Sequence, residues 1–94
     1  MIIRQFELKT TGSQIIDLCG EMPVGFSVGE VDSKLMLWVQ LDEDYPVRFS
    51  AFVLVVETGE QYEMPDKFVG SVPVSTGSVF HVFTKTRYVR EEDL

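Results

Sequence analysis

The clearest pattern along the chain is an alternation of hydrophobic and polar residues with a period of two. In residues 2–9, for example, Phe6 and Leu8 share one side of an extended chain with Ile2, while polar side chains occupy the other side. This period is typical of a β-strand with one buried face, because successive side chains point to opposite faces of a sheet. No segment shows the period of 3.6 residues that predicts an amphipathic helix.

Turn-forming residues divide the chain into seven such segments. The predicted strands are residues 2–9, 14–18, 24–31, 35–41, 47–57, 67–74 and 78–85. Gly25 and Gly29 predict a bend or bulge in the third strand, and Pro73 predicts that the sixth is an edge strand. Tight turns favour a small antiparallel meander, closed as a barrel or folded as a sandwich. We therefore predict one all-β domain over residues 1–85 and a charged tail over residues 86–94.

Two of the predicted strands, residues 35–41 and 47–57, carry apolar residues on both faces. The first is expected to be central and the second is the longest. Both need a second layer, a barrel interior or a subunit interface to cover them. A chain of this size builds only one modest core, so we expect a homodimer. Its copies would pair along residues 67–74 or 2–9. Trp38 is expected to fill the core or an interface.

The composition agrees with an all-β chain that stays out of membranes. Valine occurs 14 times and aromatic residues 11 times, against a single alanine. Such residues suit a pleated sheet better than a helix. The longest apolar run, residues 51–56, is far below the roughly 20 residues of a membrane-spanning helix.

The net charge indicates which kind of partner to expect, and the cysteine content indicates the cellular compartment. Fifteen acidic residues against eight basic ones give a net charge of −7. This charge opposes direct binding to nucleic acid and suits a basic protein partner, although it also simply keeps a β-rich chain from aggregating. Cys19 is the only cysteine, so no intramolecular disulfide forms, and we expect a reducing cytoplasm.

The sequence offers little for catalysis. His81 and Cys19 are single representatives of their types, too few for a zinc site. His81 could act as a general base or contact a ligand, but we favour a half-buried imidazole that is hydrogen-bonded to a neighbouring strand. Cys19 has no basic neighbour to activate its thiol. We therefore predict no enzymatic activity, no catalytic residue, no cofactor and no metal.

Two sets of charged residues are candidates for binding. The first is acidic and would contact a basic partner protein, partly from the long connection at residues 58–66, because long loops on compact β domains often carry function. Its members are Glu57, Glu60, Glu63, Asp66, Asp42 and Asp44. The second is basic and would have to converge at a pocket to bind an anionic small molecule. Its members are Arg4, Arg48, Lys67 and Arg87.

Five short motifs resemble a family of short proteins encoded by tailed bacteriophages. The motifs are Phe6-Glu7-Leu8, Leu37-Trp38-Val39, Thr58-Gly59, the segment at residues 65–72, and Val79-Phe80-His81-Val82-Phe83. The chain departs from the family pattern at Asp42-Glu43-Asp44, at Glu60 in place of a histidine, and after Lys85. The resemblance implies a phage origin and the cytoplasm of an infected host, without implying a reaction.

These features together predict a non-enzymatic phage accessory protein that binds and modulates a host or phage protein during infection. One alternative is an oligomeric protein that sequesters a small molecule such as a signalling nucleotide. Another alternative is a minor structural component of the virion.

Overall fold

Seven β-strands account for most of the chain. The computed structural model describes residues 1–10, 12–18, 21–43, 48–63 and 67–89. The strands are β1 (Ile2–Glu7), β2 (Gly12–Asp17), β3 (Met22–Val31), β4 (Lys34–Asp42), β5 (Arg48–Glu57), β6 (Lys67–Pro73) and β7 (Val79–Val89). None of the residues in these ranges is helical, so the all-β prediction is confirmed.

The strands form two antiparallel sheets. The order is β1-β4-β3 in the three-stranded sheet and β2-β5-β7-β6 in the four-stranded sheet. The predicted meander is wrong, because β3–β4 and β6–β7 are the only consecutive strands in the described chain that pair with each other. The chain instead crosses between sheets after β1, β2 and β4. Two separate sheets around one core give a sandwich-like arrangement.

The side chains between the two sheets form one continuous hydrophobic core. Every second residue of β4 points into it, and each of these residues is at most 2% exposed: Leu35, Leu37, Val39 and Leu41. The four-stranded sheet contributes Ala51, Val53, Val55, Val72 and Val82. β4 is the central strand of its sheet, as its apolar sequence predicts. β4 and β5 each have a neighbouring strand on both sides. β1 is one neighbour of β4 and β2 is one neighbour of β5, so β1 and β2 do not pair with each other.

Two local predictions about individual strands are confirmed. The pairing of β3 with β4 shifts register between Pro23 and Gly25, which is the predicted irregularity in this strand. β6, which ends at Pro73, lies at the edge of the four-stranded sheet. Proline lacks the N–H that a central strand would need, so its position at an edge follows from its chemistry.

The end of the chain differs from the prediction. β7 has 11 residues and is longer than β5, and it extends to Val89, inside the segment that we predicted to be a charged tail. The first residues of β5 pair with this extension, since Arg48 lies opposite Val89. Hydrogen bonds from β5 thus extend β7 into this polar part of the sequence. Residues 90–94 lie outside the described residues.

Trp38 lies on the outer face of the three-stranded sheet, not in the core. A Cβ atom at Gly29 would lie 3.0 Å from Cζ3 of Trp38, so the ring covers this glycine of the edge strand β3. The indole Nε1 donates a hydrogen bond to Oε1 of Gln5 on β1, at 2.9 Å. An aromatic ring over a glycine replaces the packing that the missing side chain cannot provide. Trp38 therefore links all three strands of its sheet.

The two sheets approach each other closely where β3 passes β6. A Cβ atom at Gly70 would lie 3.0 Å from Cγ2 of Val28, so the packing leaves little room for a side chain there. Nearby, the Glu30 carboxylate accepts a hydrogen bond from the backbone N–H of Ser75, at 2.9 Å. The turn between β6 and β7 is thus joined to the end of β3, and this side of the sandwich is closed.

We expect Gly70→Val to lower the free energy of unfolding by about 1–3 kcal/mol, because the added methyl groups overpack against Val28. Val28→Ala in the same chain should recover part of this loss. Urea denaturation of both single variants and the double variant measures the coupling. Strictly additive effects would show that the sheets do not meet at this point.

Candidate functional site

The outer face of the four-stranded sheet carries apolar side chains that the core does not include. Strand alternation turns them outward, between the inward-pointing valines of β5 and β7. Leu54 of β5 lies opposite Phe83 of β7, which in turn lies opposite Phe68 of β6. The ring centroids of Phe68 and Phe83 are 5.4 Å apart, and Phe68 is 54% exposed. Exposed apolar patches of this kind are typical of interaction surfaces.

Tyr62 extends this aromatic row from the connection after β5. Its ring centroid lies 5.1 Å from that of Phe83, and the residue is 51% exposed. The connection begins with a tight turn, in which the backbone N–H of Glu60 donates to the carbonyl of Glu57 at 3.0 Å. Gly59 has a φ of 96°, which this position of a turn requires and which favours glycine. The turn brings the following residues back over the sheet.

Tyr62 stands between two grooves on this face. The first groove has a volume of about 370 Å³, and we call it the aromatic groove. Its lining includes Tyr62, Phe68, His81 and Phe83. The second groove has a volume of about 460 Å³ and extends from Tyr62 over Leu54 toward β2. Both grooves are open to solvent and large enough to receive a side chain of another molecule.

His81 lies beside the aromatic groove, half-buried between two strands. Its Nδ1 is 2.7 Å from Oγ of Ser71 on β6, and its Nε2 is 2.8 Å from Oγ1 of Thr58 in the turn after β5. A neutral imidazole donates at one nitrogen and accepts at the other, and each hydroxyl can take either role. These two hydrogen bonds join His81 of β7 to the turn after β5 and to β6.

Three of the six predicted acidic residues come together at this surface. Glu57 and Glu60 line the aromatic groove, and Glu63 lines the second groove together with Glu60. Oε1 of Glu60 also accepts a hydrogen bond from the backbone N–H of Glu57, at 2.9 Å. Asp42 ends β4 in the other sheet and does not join this group. Asp44 and Asp66 lie outside the described residues.

Of the four predicted basic residues, Arg4, Lys67 and Arg87 line neither groove. Arg4 belongs to the three-stranded sheet, where its Nη2 lies 2.7 Å from Oε1 of Glu21. The others belong to the four-stranded sheet, with Lys67 opposite Thr84 on β6–β7 and Arg87 opposite Ser50 on β5–β7. Arg48 begins β5, and its side chain lies outside the described part of the structure. The two sheets thus separate Arg4 from the other three.

In the described ranges, no group of three or more His, Cys, Asp or Glu residues is placed so that it could hold a metal ion. These ranges also contain no helix that could span a membrane. Cys19 lies outside the described residues.

Sequence reasoning found the acidic residues of this surface but missed its aromatic part. Phe68 and Phe83 occur only within the motifs of the family resemblance, and Tyr62 belongs to none of these motifs. Strand alternation does contain a signal, because it turns Leu54 and Phe83 away from the core. The position of Tyr62 depends on the course of the connection, which the local pattern does not specify.

Comparison with known proteins identifies a family for almost the whole chain. A family model described as a domain of unknown function, DUF7352, matches residues 1–92. The match includes all seven strands and therefore both sheets. No curated protein and no solved structure shows significant similarity to the chain.

We expect His81→Ala to lower the free energy of unfolding by about 1–2 kcal/mol, because each net hydrogen bond contributes about 0.5–1.5 kcal/mol. Ser71→Ala should cost less, since it removes one of the two bonds. Urea denaturation of the single and double variants tests the network. If His81 holds Ser71, the double variant is little less stable than His81→Ala alone. Additive losses would contradict this arrangement.

Proposed function

We propose that this chain, which belongs to the DUF7352 family of unknown function, is a non-enzymatic protein that binds a basic segment of a partner protein. The observation that carries the proposal is the aromatic groove, whose lining joins Tyr62, Phe68 and Phe83 to the acidic residues Glu57 and Glu60. In this proposal the partner inserts a cationic side chain into the groove and lays apolar side chains along the second groove.

Cation–π attraction and charge complementarity favour this kind of partner. An ammonium or guanidinium group over an aromatic face gains about 0.5–2 kcal/mol, and more as water is excluded. Arginine fits better than lysine, because its planar guanidinium can stack on a ring and still donate hydrogen bonds to a carboxylate. The net charge of −7 attracts a basic partner over a longer range and accelerates the encounter.

The biological setting of the proposal comes from the resemblance to phage proteins. The partner would be a host or phage protein in the cytoplasm of an infected cell, and occupation of its basic segment would inhibit or redirect it. The alternative of a nucleotide-sequestering protein needs basic residues that converge on one pocket. Of its four candidates, Arg4 pairs with Glu21 in the other sheet, apart from Lys67 and Arg87.

A capped peptide of alternating arginine and leucine is the probe for the groove, and the same peptide with glutamate for arginine is its control. We expect the arginine peptide to bind and the glutamate peptide not to bind, as measured by fluorescence anisotropy. Tyr62→Ala should weaken binding about tenfold, the scale of an aromatic hot spot. The matched control is Ile3→Ala, which removes a side chain that is 66% exposed on the three-stranded sheet.

Equal affinity for the two peptides would contradict the proposal, as would equal losses in Tyr62→Ala and Ile3→Ala. Raising the salt concentration should weaken the binding of the arginine peptide to the wild-type chain more than its binding to Glu63→Gln. The reason is that a charge at the rim acts mainly through long-range attraction, which salt screens.

Capture of proteins from infected-cell lysate tests whether the partner is a host or phage protein. We expect the wild-type chain and Ile3→Ala to retain one basic protein in stoichiometric amount and Tyr62→Ala to lose it. Recovery with purified virions instead would indicate a structural component of the particle. Release of a nucleotide on heating the purified protein would indicate the sequestering function.

A further inference from the structure

The open edge of the four-stranded sheet is β2, and the hydrogen bonds of its neighbour show which backbone groups face outward. The N–H of Leu18 donates to the carbonyl of Phe49 at 3.0 Å, just beyond the end of β2. Because backbone direction alternates along an antiparallel strand, every second residue before Leu18 also faces β5. The residues in between, Ser13, Ile15 and Asp17, direct their N–H and C=O groups away from β5, toward the edge.

The other three edge strands carry features that oppose pairing with a further strand. β6 contains Pro73 and a register shift between Phe68 and Gly70. β3 contains Pro23 and the register shift that follows it. β1 presents charged side chains on both faces, with Arg4 paired to Glu21 and Glu7 paired to Lys34. Prolines, bulges and charges are the usual devices that protect a sheet edge.

β2 has none of these protections over most of its length. Its pairing with β5 keeps one register from Gly12 to Asp17, and it contains no proline. Ile15, in its middle, is 68% exposed. The side chain of Ile15 lies on the outer face, opposite Phe52 of β5, so an apolar surface reaches the very edge of the sheet. A straight, unprotected edge with an exposed isoleucine is a template for another strand.

We propose that β2 pairs antiparallel with β2 of a second copy of this chain, around a two-fold axis at Ile15. In this register Ile15 lies opposite its own counterpart, and Ser13 lies opposite Asp17 of the other copy. Each of these residues directs its backbone groups to the edge, so each pair exchanges two hydrogen bonds. The arrangement is self-complementary, as a two-fold interface must be, and it does not place the two Asp17 carboxylates opposite each other.

The pairing joins the two four-stranded sheets into one continuous sheet of twice that width. The outer faces of both copies then form one surface, with the two isoleucines at its centre and an aromatic groove on each side. Charge repulsion between the copies is limited, because salt screens it within about 8 Å under physiological conditions. The dimer depends on the backbone and on Ile15, and not on what binds in the aromatic groove.

Sedimentation equilibrium over a concentration series up to millimolar tests the dimer. We expect the wild-type chain to reach twice the 10.7 kDa of one copy. Ile15→Lys should be monomeric throughout, because two lysines would face each other at the axis. Its matched control, Ile3→Lys, changes an equally exposed isoleucine at the edge of the other sheet and should remain dimeric. Circular dichroism verifies that both variants keep their β structure.

A wild-type chain that stays at 10.7 kDa throughout would overturn the proposal. A dimer that is lost in Ile3→Lys and kept in Ile15→Lys would also overturn it, since that result assigns the interface to β1. A dimer that both variants retain would place the interface elsewhere.

The register itself is tested at Ser13. Ser13→Lys places a positive charge opposite Asp17 at two symmetric positions, and Ser13→Asp places a like charge there. We expect the dissociation constant of the dimer to fall about tenfold in the first variant and to rise about tenfold in the second. Equal effects of the two variants would show that Ser13 does not face Asp17, and would contradict a two-fold axis at Ile15.

Discussion

The hydrophobic contact between the inner faces of the two sheets determines where every other side chain can lie. The inward residues of β4 pack against those of β5 and β7, and Leu37, Val39 and Val82 are fully buried in this contact. Strand side chains alternate strictly, so fixing the inner set of residues also fixes the outer set. A slip of one residue would bring the outer set into the core and expose the valines and leucines.

The two outer faces use their aromatic residues in different ways. On the three-stranded sheet, Trp38 lies over Gly29 and donates a hydrogen bond to Gln5, so its ring serves the packing of the sheet itself. On the four-stranded sheet, Tyr62 and Phe68 pack against Phe83 but remain about half exposed. Glu57 and Glu60 line the groove beside this second cluster. The proposed binding surface therefore lies on the four-stranded sheet.

The strands and their burial could be predicted from sequence, because both depend on local alternation and on glycine and proline chemistry. The bulge at Gly25 and the edge position of β6 are examples. The pairing of strands could not be predicted in the same way, since the turn signal near Gly12 is compatible with a hairpin or with a crossing between sheets. The extension of β7 was missed for a related reason, because its hydrogen bonds come from β5, far away in sequence.

The candidate site was predictable to a similar extent. The acidic residues of the connection were recognised because charge is visible in the sequence, and strand alternation could have added Phe83. Tyr62 joins them only because the turn at Gly59 folds the connection back over the sheet. The hydrogen bonds of His81 to Ser71 and Thr58 likewise join three segments of the chain. Contacts of this kind are properties of the tertiary structure, and no local pattern contains them.

In the proposed function, a partner binds on the outer face of the four-stranded sheet. Chemical-shift mapping by nuclear magnetic resonance, during titration with the arginine–leucine peptide, locates the binding surface residue by residue. We predict shift changes centred on Tyr62, Phe68 and Phe83, with the indole N–H of Trp38 unchanged as an internal reference on the other sheet. Changes centred on Trp38, or an absence of changes around Tyr62 and Phe83, would contradict the account.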